Sequence, residues 1–165
     1  MKKKKISKYL LIFPILVLFV VGYGVYTFQA NKNEEKDLTE DIYKQKLTPE
    51  QYHVLREGGT DIPFTHLEML NNHEKGTYVT ADCGEPVFRS EQKFDSGTGW
   101  PSFWAPIDDD AVVLREDNSF GTKRIEVLGK KCGGHLGHVF DDGPEPTGKR
   151  YCINASALKF IPDEK

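Results

Sequence analysis

Arg124-Ile125-Glu126-Val127-Leu128, His138-Val139-Phe140 and Arg150-Tyr151-Cys152-Ile153-Asn154 are short runs of β-branched and aromatic residues. Runs of that kind, bounded by turn formers, mark strands. Their boundaries here are Gly133-Gly134 and Asp141-Asp142-Gly143-Pro144. Working outward, the same pattern recurs at 77–80, 86–89, 111–115 and 158–161, with Asp117-Asn118-Ser119 as a further separator. Strands this short, parted by Gly, Asp and Pro, predict a small, mainly antiparallel β domain.

Two helices are expected ahead of the strands. Thr48-Pro49-Glu50-Gln51 reads as a helix start: an N-cap, a proline at the first helical position and a glutamine closing a capping box. Gly58-Gly59 ends that helix. Thr65-His66-Leu67-Glu68 repeats the capping pattern for a second short helix that gives out by Asn71-Asn72.

The first 30 residues are of another kind. Lys2, Lys3, Lys4, Lys5 and Lys8 precede residues 9–28, which carry no charge. Such a run spans about 30 Å as a helix, the thickness of a bilayer core. Pro14, Gly22 and Gly24 are tolerated in membrane helices, and Tyr9 and Tyr26 suit the interfaces. A cleaved signal peptide is the rival, disfavoured by the length of the run and the lack of a small-x-small site after it. The lysines predict a single-pass anchor in the cell membrane, with a cytoplasmic N-terminus and the rest of the chain outside. Residues 31–46 read as a polar stalk, and 47–165 as the folded domain.

Charge divides with it. The chain carries -3 in all, and the first 30 residues hold five lysines and no acid, so the remainder stands at -8. An acidic domain argues against a nucleic-acid partner.

Three cysteines, at 83, 132 and 152, leave at least one outside any internal pair. On a strand, Arg150, Cys152 and Asn154 share a face, which gives the thiol a neighbouring cation. A structural cysteine is as frequent a reading of that pattern alone. His135 and His138, set among glycines, are candidates for proton handling or half a metal site; the bland alternative is a glycine-rich turn. In residues 93–104, Trp100, Phe103 and Trp104 face either an apolar ligand or the core.

Together these segments resemble the B-type methionine sulfoxide reductases, from Leu47 to Ile161. The matching stretches are Gly58-Gly59-Thr60 with Pro63-Phe64-Thr65, residues 93–103, His135-Leu136-Gly137-His138-Val139-Phe140, and Arg150-Tyr151-Cys152-Ile153-Asn154. The resemblance implies a β-tent-like fold and peptide-methionine (R)-S-oxide reductase activity through a cysteine sulfenic acid. It makes Cys152 the nucleophile, with His135, His138 and Asn154 orienting substrate and handling protons. Arg150 and Asp142 become supporting charges, Trp100 the wall for the substrate's methyl group, and Phe103 and Phe140 further substrate contacts. The implied partners are proteins carrying oxidised methionine and an extracytoplasmic thioredoxin-like dithiol; the implied role is protein repair.

Two departures from the family pattern matter. Relatives with a structural zinc carry two Cys-x-x-Cys pairs, where this chain reads Thr80-Ala81-Asp82-Cys83 and Gly129-Lys130-Lys131-Cys132. Two thiolates do not close a zinc site, so no zinc or other cofactor is expected. Cys83 and Cys132 should be neighbours, and a structural disulfide between them is the favoured reading. Thr98 stands where many relatives place a resolving cysteine, so either Cys83 or Cys132 reaches the sulfenic acid after a rearrangement, which excludes their disulfide, or an external thiol reduces it directly; the external thiol is favoured. A non-catalytic binding module and a Cys/His hydrolase are the rival functions.

Overall fold

The computed structural model describes residues 40–164. The chain divides into two units, Met1–Ile42 and Tyr43–Lys165, and the architecture below belongs to the second. The expected anchor at 9–28 lies outside the described residues; among those described, no helix is long and apolar enough to cross a membrane.

Residues 43–46, at the end of the polar stretch, are helical, and the Leu47 N–H bonds the Tyr43 carbonyl at 2.9 Å. The Arg56 guanidinium sits 4.4 Å from the Tyr43 ring centre, so the folded unit reaches back before Leu47. Helix α1 (Pro49–Glu57) starts as its sequence dictates. Thr48 Oγ1 accepts from the Gln51 N–H, and Gln51 Oε1 from the Thr48 N–H. Gly58 closes the helix in the left-handed conformation, φ 72°, which costs a glycine little. Helix α2 (Leu67–Leu70) differs from expectation. His66, not Thr65, is its N-cap and makes no capping bond. The Thr65 hydroxyl bonds back to the Ile62 carbonyl instead, at 2.7 Å.

Nine strands follow among the described residues: β1 (Gly76–Thr80), β2 (Pro86–Arg89), β3 (Lys93–Phe94), β4 (Ser102–Phe103), β5 (Val112–Asp117), β6 (Arg124–Gly129), β7 (His135–Phe140), β8 (Arg150–Ile153) and β9 (Leu158–Pro162). They form a three-stranded sheet, β2-β1-β9, and a six-stranded sheet, β3-β4-β8-β7-β6-β5. Every pairing is antiparallel. The expected mainly β, antiparallel domain with short N-terminal helices is what forms. Tyr78, Phe88 and Phe103 are fully buried, and Val54 and Leu55 of α1 join the same core. Phe103 stacks on Phe88 at 4.4 Å and meets Tyr78 edge-on at 5.0 Å.

β7 departs most from the sequence reading. It starts at His135, so residues 135–137 are strand, while Gly133-Gly134 stay in the turn that precedes it. Its register against β6 shifts: Leu128 pairs with His135, but Val127 pairs with Gly137. Leu136 is the extra residue of a bulge. On a regular strand, residues 135 and 138 would point to opposite faces. The bulge restores them to one face, with ring centres 5.4 Å apart. Gly137 has to be glycine, since a Cβ there would come within 2.1 Å of the Cys152 carbonyl oxygen.

Candidate active site

Register across β4, β8, β7 and β6 assembles the site. Cys152 pairs with Ser102 on one side and with His138 on the other, and His138 pairs in turn with Glu126. Directly paired residues share a face of the sheet, so Cys152, His138 and Glu126 converge. Cys152 is half-buried, the one free cysteine among the described residues. It lines a cleft of about 150 Å³ together with Trp100, His138, Phe140, Asn154 and Arg124.

Trp100 is held by its indole N–H, which donates to the Asp61 carbonyl at 3.0 Å. Asp61 is itself buried, and its carboxylate accepts from the Ser156 N–H and hydroxyl at 2.9 and 2.6 Å. Asn154 completes that hub: its Oδ1 accepts from the Asp61 N–H and its Nδ2 donates to the Leu136 carbonyl. The amide therefore braces the Asp61 backbone that holds the indole, leaving one N–H for the cleft. The other aromatics part ways: Phe140 lines the cleft, whereas Phe103 lies in the core away from it.

The two imidazoles are each tied to a carboxylate that sequence reasoning missed. His135 Nδ1 lies 2.7 Å from Glu126 Oε1, and His138 Nε2 lies 2.8 Å from Asp117 Oδ2. Burial pushes the His135 pKa down, outweighing the pull of Glu126, so the ring is neutral near pH 7. Its Nε2 is buried without a hydrogen-bond partner among the described residues. Asp117 is held well below the usual carboxylate range, chiefly by bonds from Ser119 and then from His138. Arg124 also binds it, at 2.7 Å. His138, not His135, borders the cleft with Cys152; His135 lines the adjoining polar hollow with Glu126. The only sequence signal for Glu126 is a charged residue alternating with apolar ones, and its partner becomes visible only through the strand register.

Arg150 bears on the thiol from the same strand. Its guanidinium bonds both Asp142 oxygens, at 2.9 and 2.8 Å, and lies 4.5 Å from the Phe140 ring centre. Burial pushes the Cys152 thiol up; Arg150 and Thr98 pull it back only in part. Thr98 Oγ1 lies 4.0 Å from Sγ, so Thr98 borders the thiol. Alkylation of Cys152 by iodoacetamide is therefore expected to rise with pH about a midpoint above that of a free cysteine, about 8.5. Arg150→Met should move the midpoint further up, since the variant loses the cation that favours thiolate. An unmoved or lowered midpoint in the variant would show that the guanidinium does not act on the sulfur.

Cys83 and Cys132 are joined, with Cα atoms 6.4 Å apart. The four positions of the two x-x-Cys segments do come together: Thr80 Oγ1 lies 3.6 Å from Cys83 Sγ, and a Cβ on Gly129 would lie 3.3 Å from the Thr80 methyl. Asp82 is the third potential ligand there. With both sulfurs in the disulfide, one carboxylate and one hydroxyl do not fit a closed four-ligand zinc site.

A half-buried thiol beside a cation and an imidazole, in a small cleft walled by an indole, defines a thiol-dependent enzyme. The family model described as the SelR domain matches residues 47–162. Peptide methionine sulfoxide reductase MsrB of Methanosarcina mazei is 57% identical over 126 residues, 76% of this chain and 89% of the relative. MsrB of Leptospira interrogans is 52% identical over 128 residues, 78% of this chain and 97% of the relative. The mitochondrial methionine-R-sulfoxide reductase B3 of Mus musculus is 47% identical over 131 residues, 79% of this chain and 51% of its own length. The chain belongs to the SelR-domain family of B-type methionine sulfoxide reductases. The expected enzyme class, peptide-methionine (R)-S-oxide reductase, is the class of this family.

Proposed function

We propose that the chain reduces the R epimer of methionine sulfoxide, in oxidised proteins and small sulfoxides, through a sulfenic acid on Cys152. The observation that carries this reading is the sharing of one small cleft by the free thiol, the Trp100 indole and His138. The Cys152 sulfur attacks the sulfoxide sulfur, and the S–O bond of the substrate breaks as an S–O bond forms on Cys152. The thiol proton ends on the transferred oxygen, giving thioether and Cys152–SOH. Substrate sulfur is reduced by two electrons and Cys152 oxidised by two. The sulfoxide oxygen needs a proton as its bond to sulfur breaks, so a donor must face it in the cleft. His138 has Nε2 committed to Asp117, so a proton it relays into the cleft leaves from Nδ1.

An aromatic wall for the methyl group and a donor for the oxygen fix the configuration at the chiral sulfur. The direct assay is reduction of separated R and S epimers of a dabsyl-methionine sulfoxide with dithiothreitol. Turnover of R alone is expected. Comparable turnover of S would overturn the epimer assignment, and turnover of neither would overturn the reduction itself.

Regeneration belongs to the same proposal. Cys83 and Cys132 are paired with each other and Thr98 is not a thiol, so an external dithiol of thioredoxin type reduces the sulfenic acid; zinc and other cofactors have no part. The domain works outside the cell membrane, repairing oxidised proteins there while held by residues 9–28. The uncharged run behind five lysines supports that location. So does a disulfide of the kind that persists in oxidising compartments.

A further inference from the structure

Segment 60–67 carries three large apolar side chains in solvent: Ile62 is 71% exposed, Phe64 55% and Leu67 52%. Apolar groups gathered in this way on a surface mark interaction sites. This segment is also bonded to the cleft at two points. The Asp61 carbonyl accepts the Trp100 indole N–H, and the Phe64 N–H donates to the Gly99 carbonyl at 2.9 Å. Thr60, at the start of the segment, lines the cleft with Cys152.

The backbone is held out deliberately. Phe64 is the one non-glycine residue at positive φ among those described, at 65°. A bulky side chain takes that conformation only where its surroundings impose it. Gly99 supplies the surroundings: a Cβ there would come within 2.7 Å of the Phe64 ring and 2.8 Å of Pro63. One face of the phenyl ring is thus seated on the residue before Trp100, while the other faces water. Burying the three side chains in the core would have served stability better, so their place beside the cleft calls for a ligand.

We propose that Ile62, Phe64 and Leu67 form a docking surface for the polypeptide substrate, taking apolar side chains that flank the oxidised methionine. The inference rests on the reductase reading above and names the substrate class that this cleft prefers. A methionine sulfoxide entering beside Trp100 leaves its neighbouring residues against the surface that begins at Thr60 and Asp61. Apolar neighbours gain burial there and polar neighbours do not. The substrate class is therefore oxidised methionine within an apolar sequence, the kind a folded protein exposes only when it opens.

The test uses the full chain with dithiothreitol and three R-sulfoxide substrates. These are N-acetyl-methionine sulfoxide methylamide, a peptide with leucine and valine beside the sulfoxide, and a peptide of equal length with serine and glycine there. The unaltered chain is expected to favour the apolar-flanked peptide about tenfold over the polar one in kcat/KM. The Ile62→Ser, Leu67→Ser double variant, altered only at exposed positions, should lose that preference through KM and keep turnover of the small methylamide within about twofold. Phe64→Gly, which also relieves the positive φ, should act in the same direction. Equal losses on all three substrates, or an undiminished peptide preference, would overturn the proposal. So would a loss that appears only in the dependence on dithiothreitol, which would assign the surface to the reductant. Absence of turnover of all three substrates by the unaltered chain would instead reject the reductase reading on which it rests.

Discussion

Replacing Cys152 by serine should lower sulfoxide turnover by about four orders of magnitude or more, a loss of the size seen when a nucleophile is removed. The substitution leaves the shape of β8 intact, and Sγ makes only weak polar contacts among the described residues, with Thr98 at 4.0 Å and with the Arg150 guanidinium. Stability should therefore hardly change, and thermal unfolding of the variant should superimpose on that of the parent. The chemistry cannot survive the change. In the proposed step the two electrons that reduce the sulfoxide come from the Cys152 sulfur, and a serine oxygen cannot supply them. Neither remaining cysteine offers a substitute, since neither lines the cleft. Turnover of a dabsyl R-sulfoxide with dithiothreitol is the measurement. A folded variant keeping more than about one per cent of activity would remove Cys152 from the nucleophile's role.

The second large effect concerns stability. Cys83 follows β1 in the three-stranded sheet and Cys132 follows β6 in the six-stranded sheet, so their bond staples one sheet to the other. The cysteines are 49 residues apart in sequence. Closing a loop of that length removes enough entropy from the unfolded chain to be worth about 4 kcal/mol. The Cys83→Ala, Cys132→Ala double variant should then melt on the order of 15 °C lower. The neighbouring contacts remain: Glu85 accepts from the Lys131 N–H at 2.8 and 2.9 Å, and Arg56 donates to the Cys132 carbonyl. They hold the geometry but do nothing to the unfolded state, so they cannot replace the bond. A melting temperature within about 2 °C of the parent would show that the covalent link contributes little.

Much of this was legible in the residues. The capping box of α1 was readable because its partners, Thr48 and Gln51, are three residues apart, and local bonds are written locally. The antiparallel strands were readable for the same reason: a β-branched or aromatic run between turn formers has few other ways to fold. Cys152 stood out with Arg150 because alternation along one strand places them together. The second cap misled, since Thr65 had a nearer acceptor in the Ile62 carbonyl.

The reading of the aromatics in 93–104 divided between ligand and core, and both uses occur: Trp100 lines the cleft while Phe103 fills the core. Nothing in the local pattern separates them. That choice depends on which residues arrive from β2 and from segment 60–67, and burial is decided by those long-range neighbours.

By itself, then, the sequence determined the class of fold, helix α1, the candidate nucleophile and the family to which the chain belongs. Only the tertiary structure decided that His135 and His138 share a face, because that depends on one extra residue in β7 against β6. It alone tied them to Glu126 and Asp117, and set Phe64 in a left-handed turn against Gly99. The physical reason is the same in each case. Hydrogen-bond register and close packing join residues far apart along the chain, and a sequence pattern records only what lies within a few residues of itself.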